Sequence, residues 1–164
     1  MSDDTPTLSV ALRFRPHADH VANVSRFVAD LCRTFIHDDD ALSRLQLAVY
    51  ELMENVVKYT SSGDGQFQLE LTRNGSGCVV RLETHNQADQ AHRSDLVQRM
   101  DALTSAHDPL SHYDAEIAAS ARRPFGSGLG LVRIRAEGEM IMNYSIEGDQ
   151  VVVRVEAAFL AGSS

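Results

Sequence analysis

The sequence has few cysteines and no cysteine pattern typical of a metal site. Its two cysteines, Cys32 and Cys78, form no CxxC pair, and the seven histidines form no HExxH motif. In a reducing compartment, two isolated cysteines are expected to be small buried hydrophobic residues. The sequence therefore gives no indication of a cysteine-based metal site.

Long hydrophobic runs are also missing. No stretch of the 164 residues is long and apolar enough to span a bilayer, and the polar, acidic start MSDDTPT does not resemble a signal peptide. We therefore expect a soluble, cytoplasmic protein with no membrane partner.

Positive charge is scarce as well. The chain has 15 Lys and Arg against 23 Asp and Glu, a net charge of −8. Because nucleic-acid backbones select surfaces rich in Lys and Arg, this balance argues against nucleic acid as the main partner, while leaving room for a small nucleotide site. With 43% hydrophobic residues and no internal repeat, the chain is predicted to be one domain over residues 1–164.

Hydrophobic periodicity predicts the order β-α-α-β-β-α-loop-α-β-β. The predicted strands are 7–15, 67–71, 78–84, 142–146 and 151–157, and the predicted helices are 18–36, 40–60, 93–104 and 131–140. The acidic run HDDD at 37–40 supplies the cap of the second helix, and SSGDG ends it. Because helices and mostly antiparallel strands segregate, we expect a two-layer α/β sandwich.

The longest predicted helix carries polar residues that could form a site. Glu51 and Asn55 are four residues apart and share a helix face, which Lys58 continues. The alternative interpretation is that these residues, with Glu54, form the solvated side of an amphipathic helix.

Three glycines on alternate positions, Gly126, Gly128 and Gly130, precede the next predicted helix. They do not form a dinucleotide fingerprint, since no strand precedes them, nor a P-loop, since no Gly-Lys-Ser/Thr follows. The segment before them, from about 105, is long for a connection in so small a domain, and such loops are usually functional or disordered.

The chain carries, in order, E-L-x-x-N-x-x-K-Y on a helix, two strands, a long loop ending in G-S-G-L-G-L and a further helix. This order of motifs resembles the Bergerat-fold, histidine-kinase-like ATPase superfamily. The resemblance covers about residues 8–157 and is greatest to the anti-sigma-factor serine/threonine kinases. It implies a mixed, mostly antiparallel sheet covered on one face by helices, a lid at about 105–130, and ATP and Mg²⁺ as cofactors.

The resemblance also assigns roles to residues of the helix. Glu51 corresponds to the general base that activates the attacking hydroxyl or water. Asn55 corresponds to the Mg²⁺ ligand, which suits a cation that prefers hard oxygens and phosphates. Lys58 takes a position where the family often has a basic residue near phosphate, although a surface lysine is the equally open alternative.

The glycine-rich segment corresponds to the family's lid motif. Its members Gly126, Ser127, Gly128, Leu129 and Gly130 would bring backbone N–H groups to the phosphates, and the following helix would point its positive end at them. Two arginines just before the lid motif, Arg122 and Arg123, would clamp a terminal phosphate, or else remain solvated.

The family's adenine-binding Asp, and the Gly two residues after it, fall on Asn86 and Ala88. Asn can still accept from an exocyclic amine, but it is a neutral acceptor and so makes a weaker hydrogen bond than a carboxylate. An alternative register places Asp89 near the base.

The main functional hypothesis is an Mg²⁺-ATP-dependent serine/threonine kinase of the anti-sigma type. It would phosphorylate or sequester a protein partner, either an anti-sigma-antagonist domain or a sigma factor, and the resemblance also implies a homodimer. Its rival is a protein-interaction module that keeps the fold with weak or no nucleotide binding, for which Asn86 and Ala88 are the evidence. A third possibility is an ATP-hydrolysing switch without a protein acceptor.

Overall fold

The computed structural model describes residues 5–105, 130–136 and 140–160. Its elements follow in the order β1 (Leu8–Phe14), α1 (Ala18–Cys32), α2 (Asp39–Tyr59), β2 (Ser62–Asn74), β3 (Gly77–Gln87), α3 (Gln90–Ser105), α4 (Gly130–Ala136), β4 (Ile141–Glu147) and β5 (Gln150–Leu160). This order agrees with the one predicted from the sequence patterns.

The strands form one sheet in the order β1-β2-β3-β5-β4. Each neighbouring pair of described strands is antiparallel, so the sheet is antiparallel throughout this part of the chain rather than mixed. A row of apolar residues crosses its centre, because Leu69 pairs with Val10 and Leu82, and Leu82 pairs in turn with Val155. The predicted two-layer α/β architecture is confirmed.

The core lies between one face of the sheet and the helices. Along β2 and β3, buried and exposed residues alternate, so each strand turns only every second side chain to the helices. The side chains of α2 that meet this face, among them Leu45, Val49 and Leu52, are buried. The opposite face is polar, with an ion pair between Arg81 and Glu156 on adjacent strands.

The acidic residues before α2 cap it as predicted. Asp38 Oδ1 accepts hydrogen bonds from the backbone N–H groups of Asp40 and Ala41, at 2.9 and 3.4 Å. Asp39 and Asp40 occupy the first turn, where negative charge interacts favourably with the helix dipole. This cap fixes the start of α2, the helix that carries Glu51 and Asn55.

Two predicted helices extend too far. The prediction for α1 continued to residue 36, but the N–H groups of Phe35 and Ile36 both donate to the Cys32 carbonyl, which closes a turn and delivers Ile36 to the core. The prediction for α4 continued to Met140, which lies outside the helix and is buried. In both cases a buried residue beyond the end of the helix fits the helical spacing of apolar residues, so the sequence pattern predicted a longer helix.

Strand β2 begins at Ser62, five residues before the predicted start. The stretch SSGDG does end α2, but Ser62 already pairs with Gln87, and an irregularity in the pairing lies between Ser62 and Gln66. A Cβ at Gly65 would lie only 2.5 Å from Val56 Cγ1, so glycine there permits the strand to pass close to α2.

Both cysteines are buried, as expected. Burial, with a smaller effect of the Cys78 thiol, raises the pKa of Cys32 to about 11. Burial also raises the pKa of Cys78. None of the helices in the described ranges has both the length and the apolar character that a membrane crossing requires.

Candidate functional site

A pocket opens where α2, β3, α3, α4 and β5 meet. Its walls are largely apolar, formed by the side chains Leu52, Val56, Leu96, Leu131, Val151 and Val153. Polar side chains also reach it, and they include Asn55, Thr84 and Asn86. A slot with apolar walls and a few polar groups suits a flat heterocycle with hydrogen-bonding edges.

Two of the predicted site residues, Asn55 and Asn86, come together in this pocket. Asn55 is on α2, and Asn86 is a buried residue near the end of β3, paired with Val151 of β5. They are 31 positions apart in sequence and meet because α2 packs across β3. Two amide side chains then face one apolar slot, and each amide can both accept and donate hydrogen bonds.

Ala88 also lines the pocket and is buried. Its backbone N–H donates to the carbonyl of Asp149 at 3.0 Å. Asp89, the alternative acceptor, is not among the residues that line the pocket. Its side chain caps α3 by accepting from the His92 N–H at 2.9 Å, and this hydrogen bond lowers the pKa of Asp89.

Glu51 lies one turn before Asn55 on α2, and its side chain is only 4% exposed. Its Oε1 accepts from Arg133 Nη1 at 2.6 Å, across 82 positions of sequence. A buried carboxylate needs such a partner, because an unpaired charge in the protein interior is strongly destabilising. The predicted base is therefore present and held by a cation from α4.

Gly130 is the first residue of α4 and the last glycine of the predicted lid motif. A Cβ at Gly130 would lie 2.5 Å from Glu51 Oε2, which is closer than side chains can approach. The glycine at this position thus permits α4 to start against the carboxylate. The remaining predicted residues of this segment, Arg123, Gly126, Ser127, Gly128 and Leu129, lie outside the described residues, as does Arg122.

Lys58 stays apart from the pocket lining. It pairs with Glu54, one turn earlier on α2, with Nζ 3.2 Å from Oε1, and the two side chains are 47% and 33% exposed. This environment corresponds to the surface-lysine alternative.

The sequence patterns did not single out several residues at the site. The rings of Tyr59 and His92 contact each other at the pocket, with centroids 4.9 Å apart and planes tilted by 48°. The α3 residues Asp95 and Arg99 pair with each other on the pocket wall. The spacing of Asp95 and Arg99 by four positions was a visible signal. Arg133 follows Gly130 by three positions, one helical turn, and nothing local marked it as the partner of Glu51.

Within the described ranges, no group of three or more His, Cys, Asp and Glu side chains is arranged to hold a metal ion. Asn55 is the residue that the sequence predicts as a ligand of Mg²⁺. Its amide oxygen is a hard donor that suits Mg²⁺ only when phosphate oxygens complete the coordination.

The fold is similar to that of a chain in the crystal structure of the SiaB–SiaC complex from Pseudomonas aeruginosa, with a TM-score of 0.62 and 14% identity over 92% of this chain and 89% of that chain. No curated protein is significantly similar in sequence. The model of the histidine kinase-like ATPase domain matches residues 14–155. Since this match spans most of the sequence, the chain belongs to the histidine kinase-like ATPase domain family.

Proposed function

We propose that this protein binds ATP with Mg²⁺ in the pocket between α2 and α3 and uses it to regulate a protein partner by phosphorylation or sequestration. One observation carries the proposal. Asn55 and Asn86, from distant parts of the sequence, line the same apolar slot, and Glu51 lies one turn from Asn55. In a histidine kinase-like ATPase domain, a nucleotide is the ligand that this combination fits best.

The slot would hold the base. Aliphatic side chains of α2, α3 and β5 form its faces, and the ring of Tyr59 adds an aromatic surface. The Asn86 amide would hydrogen-bond the edge of the base, accepting from an exocyclic amine or donating to a ring nitrogen.

The phosphates would extend from the base toward Asn55. Its side-chain oxygen would hold Mg²⁺ together with phosphate oxygens, and the ion, when bound, neutralises charge on the transferred phosphoryl group. The N-terminal end of α4, which carries positive dipole charge, lies beside Glu51, one turn before Asn55 on α2.

Glu51 would act as the general base by accepting the proton of the attacking hydroxyl at a carboxylate oxygen. The ion pair with Arg133 fixes the orientation of Oε1. Proton transfer then requires the acceptor hydroxyl to reach the carboxylate beside Gly130.

A protein-interaction module remains the second candidate, and the same ion pair favours it. Arg133 occupies Oε1 of Glu51, and Ala88 replaces the glycine that the family places there. In such a module the pocket would bind nucleotide weakly or not at all, and the protein surface would bind the partner. A similar fold has been solved within a complex of two proteins, which supports a protein partner under either candidate. Homodimer formation is a further part of the proposal.

The test is thermal denaturation of the parent and of Asn55→Ala with ATP, ADP and GTP, each with and without Mg²⁺. At a nucleotide concentration 100-fold above Kd, linkage gives about 2.7 kcal/mol of stabilisation. For a domain of this size that is a rise in Tm of roughly 5 to 10 °C. We expect an adenine-selective, Mg²⁺-dependent rise that Asn55→Ala loses.

Asn23→Ala is the matched control, because Asn23 is exposed on α1 and its side chain accepts a hydrogen bond from Arg26 of the same helix. It should keep the rise in Tm. An unchanged Tm of the parent with every nucleotide at millimolar concentration would overturn the proposal in favour of the interaction module.

A further inference from the structure

An ion pair on α3 forms part of the pocket wall. Arg99 Nη2 donates to Asp95 Oδ2, one helical turn away, and both residues line the pocket with Asn86. The side chain of Arg99 is 9% exposed and that of Asp95 is 25% exposed. Neither residue has a role in the family motifs that the sequence resembles.

The burial of the cation, Arg99, distinguishes this pair from an ordinary pair on a helix surface. The Glu54–Lys58 pair has the same spacing on α2, but its side chains are 33% and 47% exposed. Two charges withdrawn from water lose much of their solvation, so a buried pair is costly unless further partners complete its hydrogen bonds. The Asp95–Arg99 pair therefore requires an explanation that the surface pair does not.

Within the described ranges, the hydrogen bonds of this pair are incomplete. Arg99 Nε is buried and has no acceptor there, and the hydrogen bond that Asp95 receives from Arg99 goes to Oδ2. Nearly all buried polar groups in proteins have a partner. A hydrogen-bond acceptor on a ligand in the adjoining pocket, such as a ring nitrogen of a base, would supply the partner that Arg99 Nε lacks.

Asn86 alone cannot select a base. An amide side chain can accept from the 6-amine of adenine through its oxygen, or after rotation donate to the 6-oxygen of guanine or hypoxanthine through its nitrogen. A carboxylate carries only acceptors, so it favours an amine and repels a carbonyl oxygen. A second residue is needed if this pocket distinguishes purines.

We infer that Asp95, oriented by Arg99, is the residue that makes this pocket select a purine with a 6-amine over one with a 6-oxygen. The inference rests on the proposed nucleotide binding. In this arrangement Arg99 positions the carboxylate through Oδ2, and the other carboxylate oxygen accepts from the base. Asp95 thereby supplies the charged acceptor that Asn86 lacks.

The experiment compares ATP with inosine triphosphate, which carries a 6-oxygen in place of the 6-amine. Affinities of both are measured by isothermal titration with Mg²⁺ for the parent, Asp95→Asn and Glu54→Gln. We expect the parent to bind ATP at least about tenfold more tightly, as a charge-assisted hydrogen bond allows. Asp95→Asn should bring the two affinities within about threefold, because an amide serves either base.

Glu54→Gln breaks the matched surface pair outside the pocket and should keep the parent's preference. Thermal denaturation without ligand identifies any loss of folding. If Asp95→Asn lowers the unliganded Tm but keeps the parent's preference for ATP, the pair is only structural and the inference is overturned.

The failure of the inference and that of the proposed function give different results. A parent that binds ATP and inosine triphosphate equally contradicts the role of Asp95 and leaves nucleotide binding standing. A parent that binds neither nucleotide overturns both. Arg99→Lys provides a second variant, since it keeps the charge but loses the planar guanidinium, and we expect it to weaken the preference for ATP.

Discussion

Glu51 of α2 and Arg133 of α4 form an ion pair, with 2.6 Å between Oε1 and Nη1. Their side chains differ in exposure, 4% for Glu51 against 37% for Arg133. The carboxylate is thus the buried member, and it depends on the arginine more than the arginine depends on it.

Replacing Arg133 by Met should therefore destabilise the protein. The change leaves the buried Glu51 carboxylate without this cation, and because Arg133 is partly exposed we expect a loss of about 2 kcal/mol, below the range for fully buried pairs. Urea denaturation at neutral pH measures the loss. The double variant Glu51→Gln/Arg133→Met should lose less than the sum of the single variants. Arg135→Met, on the same helix, is the control, and a similar loss in Arg135→Met would contradict the expectation.

Glu51→Gln tests the proposed base. The variant should keep the ATP-dependent rise in Tm, because the amide leaves the pocket intact, while the rate of phosphoryl transfer to the protein acceptor falls about 10²- to 10⁴-fold. Transfer is followed with γ-labelled ATP and a cognate partner protein. Glu54→Gln, the exposed neighbour on α2, should transfer phosphate at the parent's rate. Equal transfer by Glu51→Gln and the parent would remove Glu51 from the mechanism.

Gly130→Ala should destabilise the protein although alanine is the better helix former. Alanine ordinarily favours a helix by up to about 1 kcal/mol over glycine. Here the added methyl would lie 2.5 Å from Glu51 Oε2, so α4 or the carboxylate must shift. We expect a net loss of about 1 to 3 kcal/mol in urea denaturation.

The cause of that loss can be tested in a second background. In Glu51→Ala the carboxylate is absent, so Gly130→Ala should cost little there. An equal loss in both backgrounds would show that the contact with Glu51 is not responsible.

The buried cysteines give a prediction on pH. Burial raises the pKa of Cys32 from 9.0 to about 11, so at pH 8 only about one thiol in a thousand is ionised in the folded protein. Alkylation of Cys32 by iodoacetamide should be slow in the folded protein at pH 8, because the thiol is buried and protonated, and should be fast in urea. Rapid alkylation of the folded protein at pH 8 would contradict this environment.

The same shift affects stability. Between pH 9 and 11 the folded protein keeps a proton on Cys32 that the unfolded chain releases. The unfolded state then binds fewer protons, so the free energy of unfolding decreases as the pH rises through this range. Cys32→Ala should show a smaller decrease when urea denaturation is repeated at pH 8, 9 and 10.

Local sequence patterns predicted most of the fold. Alternation and helical periodicity depend on which side chains face the core, so they located the strands and helices, and the acidic run located the Asp38 cap. Periodicity cannot show where a buried side chain belongs to a turn. Ile36 and Met140 therefore lengthened the predicted helices.

The site was less accessible to sequence reasoning. Glu51, Asn55 and Asn86 were identified through a family resemblance, because spacing alone gives no functional role to a single Glu or Asn. The partner of Glu51 is 82 positions away, and the Asp95–Arg99 pair becomes a pocket wall only when α3 faces α2 across the pocket. Contacts of this kind depend on tertiary packing, and no local pattern in a single sequence predicts them.

The sheet order has a consequence for how the protein folds. Strand β5 lies between β3 and β4 and pairs along its whole length with β3, from Gly77 with Leu160 to Gln87 with Gln150. During synthesis, β3 therefore emerges long before the strand that completes its hydrogen bonds. Pairings so distant in sequence slow folding, and an exposed strand edge invites association with other chains. The nascent chain should thus keep one edge of β3 unpaired until residues 150–160 have left the ribosome.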